Sequence, residues 1–259
     1  MPEVKGLTQG TPDWLSWRKG KLSASKSSII LGISEYMTPF ELFEEELGLR
    51  EPKKASAHMQ RGLDVEDEAR DWLWGHLRLE FKPACWEHVN PLYISSLDGM
   101  SIDQRHIVEI KNNNKEFHEM TRSGNIVPMH YAQCQHHMLV TELNECFYLS
   151  WRKDDPILVT IKRDQDFIND MIIKETEFKR MCRDLVPPPL TDRDYVDMTD
   201  DFILKNLAYN YKFYNDELKN CEKCLKEYKE KIKEISGDRN IKGPGFKLTK
   251  YPSRTIIDY

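Results

Sequence analysis

The sequence lacks any apolar run approaching the roughly 18 to 20 residues that span a bilayer, and its start, MPEVKGLTQGTPDW, has no apolar core of the signal-peptide kind. Both absences argue against a membrane protein and lead to the expectation of an intracellular one, in cytoplasm or nucleus, that is not secreted. A small-domain disulfide pattern is also missing. Six cysteines (Cys85, Cys134, Cys146, Cys182, Cys221 and Cys224) are scattered along the chain, as befits a reducing compartment. Cys221 and Cys224 share a helix face by their spacing, but two thiols do not close a metal site, and ordinary helix thiols are the favoured reading. There is no basic excess. A net charge of −5 argues against a generally sticky nucleic-acid binder while leaving room for a local basic channel, so it neither supports nor excludes DNA. With 39% apolar and 31% charged residues, the 259-residue chain avoids the composition of disorder and suffices for one large domain with appendages. No internal repeat is seen.

Along the chain, Thr11 as N-cap with Pro12 and Asp13 behind it predicts a short helix ending near Gly20. Ser23 offers a second cap before Ile29, Ile30 and Ile33, and TPFELFEEELGL repeats the Thr-Pro start, so the first fifty residues read as helical. Met59, Leu63, Val65, Ala69, Trp72 and Leu73 follow helical spacing, predicting a long amphipathic helix from about 55 to 77. Between 79 and 111 short apolar runs with a turn near 103–105 read as a β-meander. A helix over 128–143, two strands joined by KDDP and a helix over 164–184 follow. Pro187, Pro188 and Pro189 stop that helix and begin a linker. Beyond it, a charged, mostly helical segment runs from about 200 to 236, and GPGFKLTKYPSRTIIDY has the makings of a small hairpin. Tyr209, Tyr211, Phe213 and Tyr214 alternate there with lysines. Burial against the main domain or a neighbouring subunit is the preferred reading, with a stacking surface for single-stranded nucleic acid as the alternative.

In HIVEIK, strand alternation puts Glu109 and Lys111 on one face and Val108 and Ile110 on the other. Asp98, followed by Gly99, lies eleven residues earlier, and a meander would bring it beside Glu109. Two hard carboxylates, with the backbone carbonyl of Ile110, suit an octahedral Mg2+, and the lysine would orient a nucleophile or neutralise charge at a phosphorus centre. The chemistry this predicts is phosphodiester hydrolysis.

By itself that triplet is a weak signal, but it stands in an ordered series. Trp14 and Arg18 form W-x-x-x-R, residues 23–25 read S-A-S, Arg61, Gly62 and Glu66 form R-G-x-x-x-E, Asp98 and Gly99 follow, then E-I-K, then Y-A-Q-C-Q over 131–135. Over roughly residues 8–185 the chain resembles the YqaJ-type viral recombinases, relatives of phage lambda exonuclease within the PD-(D/E)XK nuclease superfamily. The resemblance implies an α/β fold with a restriction-endonuclease-like core, a central mixed β-sheet flanked by helices, and a C-terminal helical extension. It makes residues 1–185 the nuclease domain and leaves 186–259 as the extension with its terminal hairpin. It adds Glu66 to the metal ligands Asp98, Glu109 and Ile110 and implies Mg2+, with Mn2+ as a substitute. Lys111, Glu109, Asp98, Glu66 and Gln133 become the catalytic set. Arg18 and Ser25 would grip a 5'-terminal phosphate, with Ser23, Trp14, Arg61 and Gln135 alongside. Gln133 and Gln135 lie two apart on a helix, so only one can face the site.

One departure is the run Asn112, Asn113 and Asn114 after E-I-K, where many family members have Cys-Pro; a polar turn is favoured over a lining of the DNA groove. His130, His136 and His137 are read as polar helix residues or backbone contacts, since the surrounding carboxylates are hard. The expected activity is exonucleolytic digestion of linear duplex DNA from an end, 5' to 3', in phage or viral-type recombination. An endonuclease on the same fold and a non-catalytic DNA-end or recombinase-binding module are the alternatives. Expected partners are double-stranded DNA ends, a single-strand annealing protein and further copies of the chain in a ring.

Overall fold

The computed structural model describes residues 3–51, 57–251 and 254–258, with the backbone alone for 57–64, 251 and 254–258. Two compact units divide between Tyr195 and Val196, beyond the expected boundary at 185/186. Arg193 donates to the backbone carbonyls of Ser34 and Glu35, and the Thr38 hydroxyl bonds Asp194, so the segment after the prolines stays tied to the first unit.

The first unit opens with α1 (Pro12–Arg18), whose Thr11 hydroxyl accepts from Trp14 N at 3.3 Å. The first fifty residues are not all helical. A two-residue strand, β1 (Leu22–Ser23), intervenes before α2 (Ala24–Ile30) and pairs in parallel with the start of β3 (Tyr93–Ser101). Ser23 sits at the N-cap position without capping by its side chain, because that hydroxyl is engaged elsewhere. Next comes α3 (Pro39–Glu46), closed by a capping box between Thr38 and Glu41. After α4 (Ala57–Leu77), the predicted meander appears as β2 (Phe81–Glu87), β3 and β4 (Ile107–Lys111), each antiparallel to the next.

The asparagine run is more than a turn. Asn114 caps α5 (Lys115–Arg122), and buried Asn113 donates to Tyr148 Oη and Ser150 Oγ, both at 2.8 Å. Helix α6 (Pro128–Thr141) leads into β5 (Glu145–Ser150), parallel to β4, then antiparallel β6 (Ile157–Lys162) and α7 (Gln165–Asp184).

The six-stranded mixed sheet runs β1-β3-β4-β5-β6, with β2 also on β3. One face packs Val108, Ile110 and Leu149 against Ala69 and Leu73 of α4. The other packs Ile107, Leu97 and Tyr148 against Cys134 and Met138 of α6, with Ile30 of α2 and Ile168 and Phe178 of α7 beside them. Because α6 is buried around nearly its whole circumference, its polar side chains must find partners inside the protein.

In the second unit, α8 (Phe202–Ser236) is followed by three antiparallel strands, β7 (Ile241–Gly243), β8 (Phe246–Tyr251) and β9 (Arg254–Asp258), where a hairpin was expected. Tyr209, Tyr211, Phe213 and Tyr214 are exposed on α8. Among the described residues, no helix is long and apolar enough to cross a membrane.

Candidate active site

Asp98 owes its position to a break in β3. Lys82 and Ala84 of β2 face Met100 and Leu97, so two steps on one strand meet three on the other and β3 bulges at Asp98–Gly99. A Cβ on Gly99 would stand 2.6 Å from Val108 Cγ1 and 2.9 Å from Phe81 Cβ, so the close approach of neighbouring strands admits only glycine here. Asp98 Oδ2 thereby accepts from Ile110 N at 2.8 Å, at the edge of the strand that carries Glu109 and Lys111.

Glu109 is buried between two partners: Lys111 Nζ bonds its Oε1, and His137 Nε2 of α6 meets its Oε2 at 2.9 Å. The other ring nitrogen of His137 meets Ser95 Oγ at 3.0 Å. Burial opposes ionisation of Glu109, but the Lys111 and His137 charges prevail and hold its carboxyl well below the usual range. Burial likewise opposes the charge on Lys111, and Glu109 and Asp98 outweigh it, so the ammonium is held more firmly than in water. Asp98 moves the other way. Burial, then the negative charges of Glu109 and Glu66, raise its pKa well above the ordinary carboxylate value. Glu66 of α4 is raised too, chiefly by burial, although Arg70 Nη1 bonds its Oε2 at 3.3 Å. The same guanidinium reaches the Asp98 carbonyl at 2.6 Å and Asp67 at 2.6 Å, joining α4 to the bulge.

A second cluster forms at the start of the chain. Trp14 and Arg18, four apart on α1, stack with the guanidinium carbon 4.3 Å from the ring centroid. Arg18 donates to Ser23 at 3.2 Å, Ser25 at 3.1 Å and Ser96 at 3.4 Å, and Trp14 Nε1 donates to Ser96 at 2.8 Å. Burial lowers the Arg18 pKa, and among the described residues no carboxylate pairs with it. Ser96 and Asp98 are both half-buried on β3 while Ser95 and Leu97 are buried, so Ser96, which meets Arg18, and Asp98 share one side of that strand, whereas Glu109 is tied through His137 to Ser95 on the other.

Of the expected site residues, Asp98, Glu109, Lys111 and Glu66 gather in the first cluster, and Trp14, Arg18, Ser23 and Ser25 in the second. Gln135 joins neither. It is fully buried, donating to the Lys162 carbonyl at 2.8 Å and accepting from Asp164 N at 2.9 Å, which ties β6 to the start of α7. Gln133 is half-buried, and its Oε1 has no partner among the described residues. The side chain of Arg61 lies outside the described residues.

Sequence reasoning missed Arg70, Ser95 and Ser96, took Asn113 for part of a turn, and gave His137 no link to the acidic cluster. Arg70, four residues after Glu66, was the one readable signal, as an i,i+4 ion pair. The histidine reading holds for His136, which contacts the Ile94 carbonyl and also Ser27, and for His130, a polar residue of α6 that bonds the Tyr148 hydroxyl. Burial and the nearby Lys111 charge push the His130 pKa down to about 3.

The donor set suits a hard divalent cation, since Glu66, Asp98, Glu109 and the Ile110 carbonyl offer only oxygen. Among the described residues no three His, Cys, Asp or Glu side chains form a ready coordination shell. Each carboxylate instead has a protein donor, and the raised pKa of Asp98 marks a cluster of acids that one ammonium does not neutralise. Added positive charge fits there.

Three solved structures share this architecture. LHK-Exo, an alkaline exonuclease from Laribacter hongkongensis, is 23% identical, and the match covers 68% of this chain and 94% of that one at TM-scores of 0.59 in complex with dAMP and 0.58 in a second structure. A phage-related exonuclease from Haemophilus somnus 129PT is 13% identical, with 64% and 95% covered and a TM-score of 0.50. The fold is therefore the mixed α/β core that these exonuclease structures share, a central mixed sheet flanked by helices. No curated protein matches the chain. Residues 13–144, just over half of its length, match the YqaJ-like viral recombinase domain, and the chain belongs to that family.

Proposed function

We propose that the protein is a metal-dependent deoxyribonuclease that degrades linear duplex DNA from a 5' end. The observation that carries this reading is the placement of a half-buried guanidinium, with no carboxylate partner among the described residues, against Ser96, two residues along β3 from Asp98 of the acidic cluster. Ser96, which touches Arg18, and Asp98 are two residues apart, on the order of 7 Å along a strand. That separation is close to one nucleotide step. A 5'-terminal phosphate held by Arg18, Ser23 and Ser25 would present the next phosphodiester to Asp98, Glu109 and Lys111.

Mg2+, or Mn2+ in its place, held by Asp98, Glu109, Glu66 and the Ile110 carbonyl, would polarise the scissile phosphate and acidify the attacking water. Lys111, kept protonated by its acidic neighbours, acts as a donor that orients the water and neutralises charge on the five-coordinate phosphorus. His137 fixes the Glu109 carboxylate, and Arg70 fixes the bulge that carries Asp98. Water adds to phosphorus, the P–O3' bond breaks and the 3' oxygen leaves with a proton. The released nucleotide keeps its 5'-phosphate, and the shortened strand again ends in a 5'-phosphate for the Arg18 pocket. Such resection leaves a 3' single strand, so an annealing protein is the natural partner, and a ring of copies would retain the enzyme on the duplex.

With 5'-phosphorylated linear duplex and Mg2+, the purified protein should release mononucleotides from the 5'-labelled end, and Lys111→Ala and Asp98→Ala should not. Equal activity in the variants refutes the assignment; cleavage of covalently closed circles assigns an endonuclease instead.

A further inference from the structure

Helix α8 carries a periodicity that the proposed nuclease reaction does not use. Leu204, Leu207, Tyr211, Tyr214, Leu218, Cys221, Leu225, Tyr228, Ile232 and Ile235 recur at alternating steps of three and four without a break. This is a 3.5-residue repeat over 32 residues, about 48 Å of helix. A straight helix with 3.6 residues per turn cannot keep such a seam on one line. The seam stays in register only when the helix supercoils around another. Eight of the ten are apolar side chains exposed between 43% and 75%; Cys221 is also exposed and Ile232 half-buried. The opposite face carries Lys205, Lys212, Lys219, Lys223, Lys226 and Glu230, with the exposed Tyr209 and Phe213 among them near its start.

From this seam we infer that α8 pairs with α8 of a second copy of the chain, as an antiparallel two-stranded coiled coil. The seam is self-complementary when one copy is reversed. Its layers become Leu204 with Ile235, Leu207 with Ile232, Tyr211 with Tyr228, Tyr214 with Leu225 and Leu218 with Cys221, each formed twice about a two-fold axis. The three tyrosines of one copy thus meet two tyrosines and one leucine-sized position rather than stacking in three identical layers. Charge favours the same direction. A parallel pair sets Glu217 of each copy against Glu222 of the other, whereas the antiparallel pair brings Glu222 to Asn215, Glu217 to Cys224 and Lys231 to Asn210. Twenty seam side chains at about 80 Å² each would remove on the order of 1,600 Å² from water, the size of a stable specific interface. A second copy therefore covers the seam without any other partner.

The full chain at tens of micromolar is to be weighed by sedimentation equilibrium beside three variants. Leu218→Glu/Leu225→Glu should have half the wild-type mass, whatever assembly the first unit forms. Tyr214→Ala, which trims the seam without adding charge, should weaken the association at least tenfold, and Lys223→Glu on the outer face should leave the mass unchanged. Equal masses for wild type and the double variant overturn the inference, as does a ratio other than two or a full loss of association in Lys223→Glu. In a chain carrying Leu207→Cys and Ile232→Cys, oxidation should link position 207 of one copy to 232 of the other. Links of 207 to 207 overturn the antiparallel arrangement.

Discussion

His137→Ala tests how the acidic cluster is held together. In the protein the imidazole is buried, with Nε2 2.9 Å from Glu109 Oε2 and Nδ1 3.0 Å from Ser95 Oγ. A carboxylate can only accept, so Nε2 carries the proton. Alanine removes one hydrogen bond to a charged group, worth about 1.5 to 3 kcal/mol, and leaves a void beside the Ser95 hydroxyl. A net loss of about 2 to 4 kcal/mol follows, which in a unit of this size lowers the melting temperature by roughly 5 to 12 °C. The second effect is on the metal. Losing the group that orients a ligand typically weakens binding by about 10- to 100-fold, so the Mg2+ concentration for half-maximal nucleotide release should rise by that factor. His137→Gln, which can still donate, should recover part of both losses. The assays are thermal unfolding without metal and a Mg2+ titration of nucleotide release. A lowered melting temperature with an unchanged Mg2+ midpoint would falsify the claim that His137 acts through Glu109, leaving it a packing residue.

Arg18→Ala should reduce the preference for 5'-phosphorylated over 5'-hydroxyl ends by about 10- to 150-fold in kcat/KM, the value of one or two charge-assisted hydrogen bonds, and an unchanged ratio removes Arg18 from the terminal phosphate. Gln135→Ala should lose about 2 kcal/mol of stability while the surviving folded protein keeps its kcat, because this amide bridges β6 and α7; a catalytic defect at full stability contradicts that placement. Asp98→Asn should be inactive yet melt higher than wild type without metal, by roughly 2 to 4 °C per kcal/mol gained. Because the folded-state pKa of Asp98 is raised, its stabilising contribution is complete below the unfolded value near 4 and is lost as pH rises through the folded value. The margin between variant and wild type should therefore widen with pH from about 4 upward. A constant margin rejects the electrostatic origin.

Local chemistry made much of this structure readable. Thr11 with Pro12 and Thr38 with Pro39 determine two helix starts within a few residues, because a cap needs only its own turn. Alternation in HIVEIK separates Glu109 and Lys111 from Val108 and Ile110 with no knowledge of the rest of the chain. Other elements were hidden for physical reasons. Strand β1 is two residues long and exists through its pairing with Tyr93 and Ile94, some seventy residues away, so no periodicity announces it. Helix α6 is buried nearly all round, and its polar residues carry no pattern telling that His137 reaches Glu109 while Gln135 bridges two elements behind the site.

The sequence by itself determined the residue types, the strand that aligns Glu109 with Lys111, and the order of motifs that places the chain in its family. Tertiary structure decided what those residues do to one another. Gly99, in the sequence only the residue after Asp98, is a contact point where Val108 and Phe81 leave no room for a side chain, which aims Asp98 at Ile110. The resemblance paired Arg18 with Ser25, but that its charge is half-buried among Ser23, Ser25 and Ser96 was decided only when β3 was laid beside α1. The reason is common to both. Spacing along a chain specifies which way a side chain points within its own element, whereas burial, like-charge proximity and the supply of donors depend on elements brought together from distant parts of the sequence.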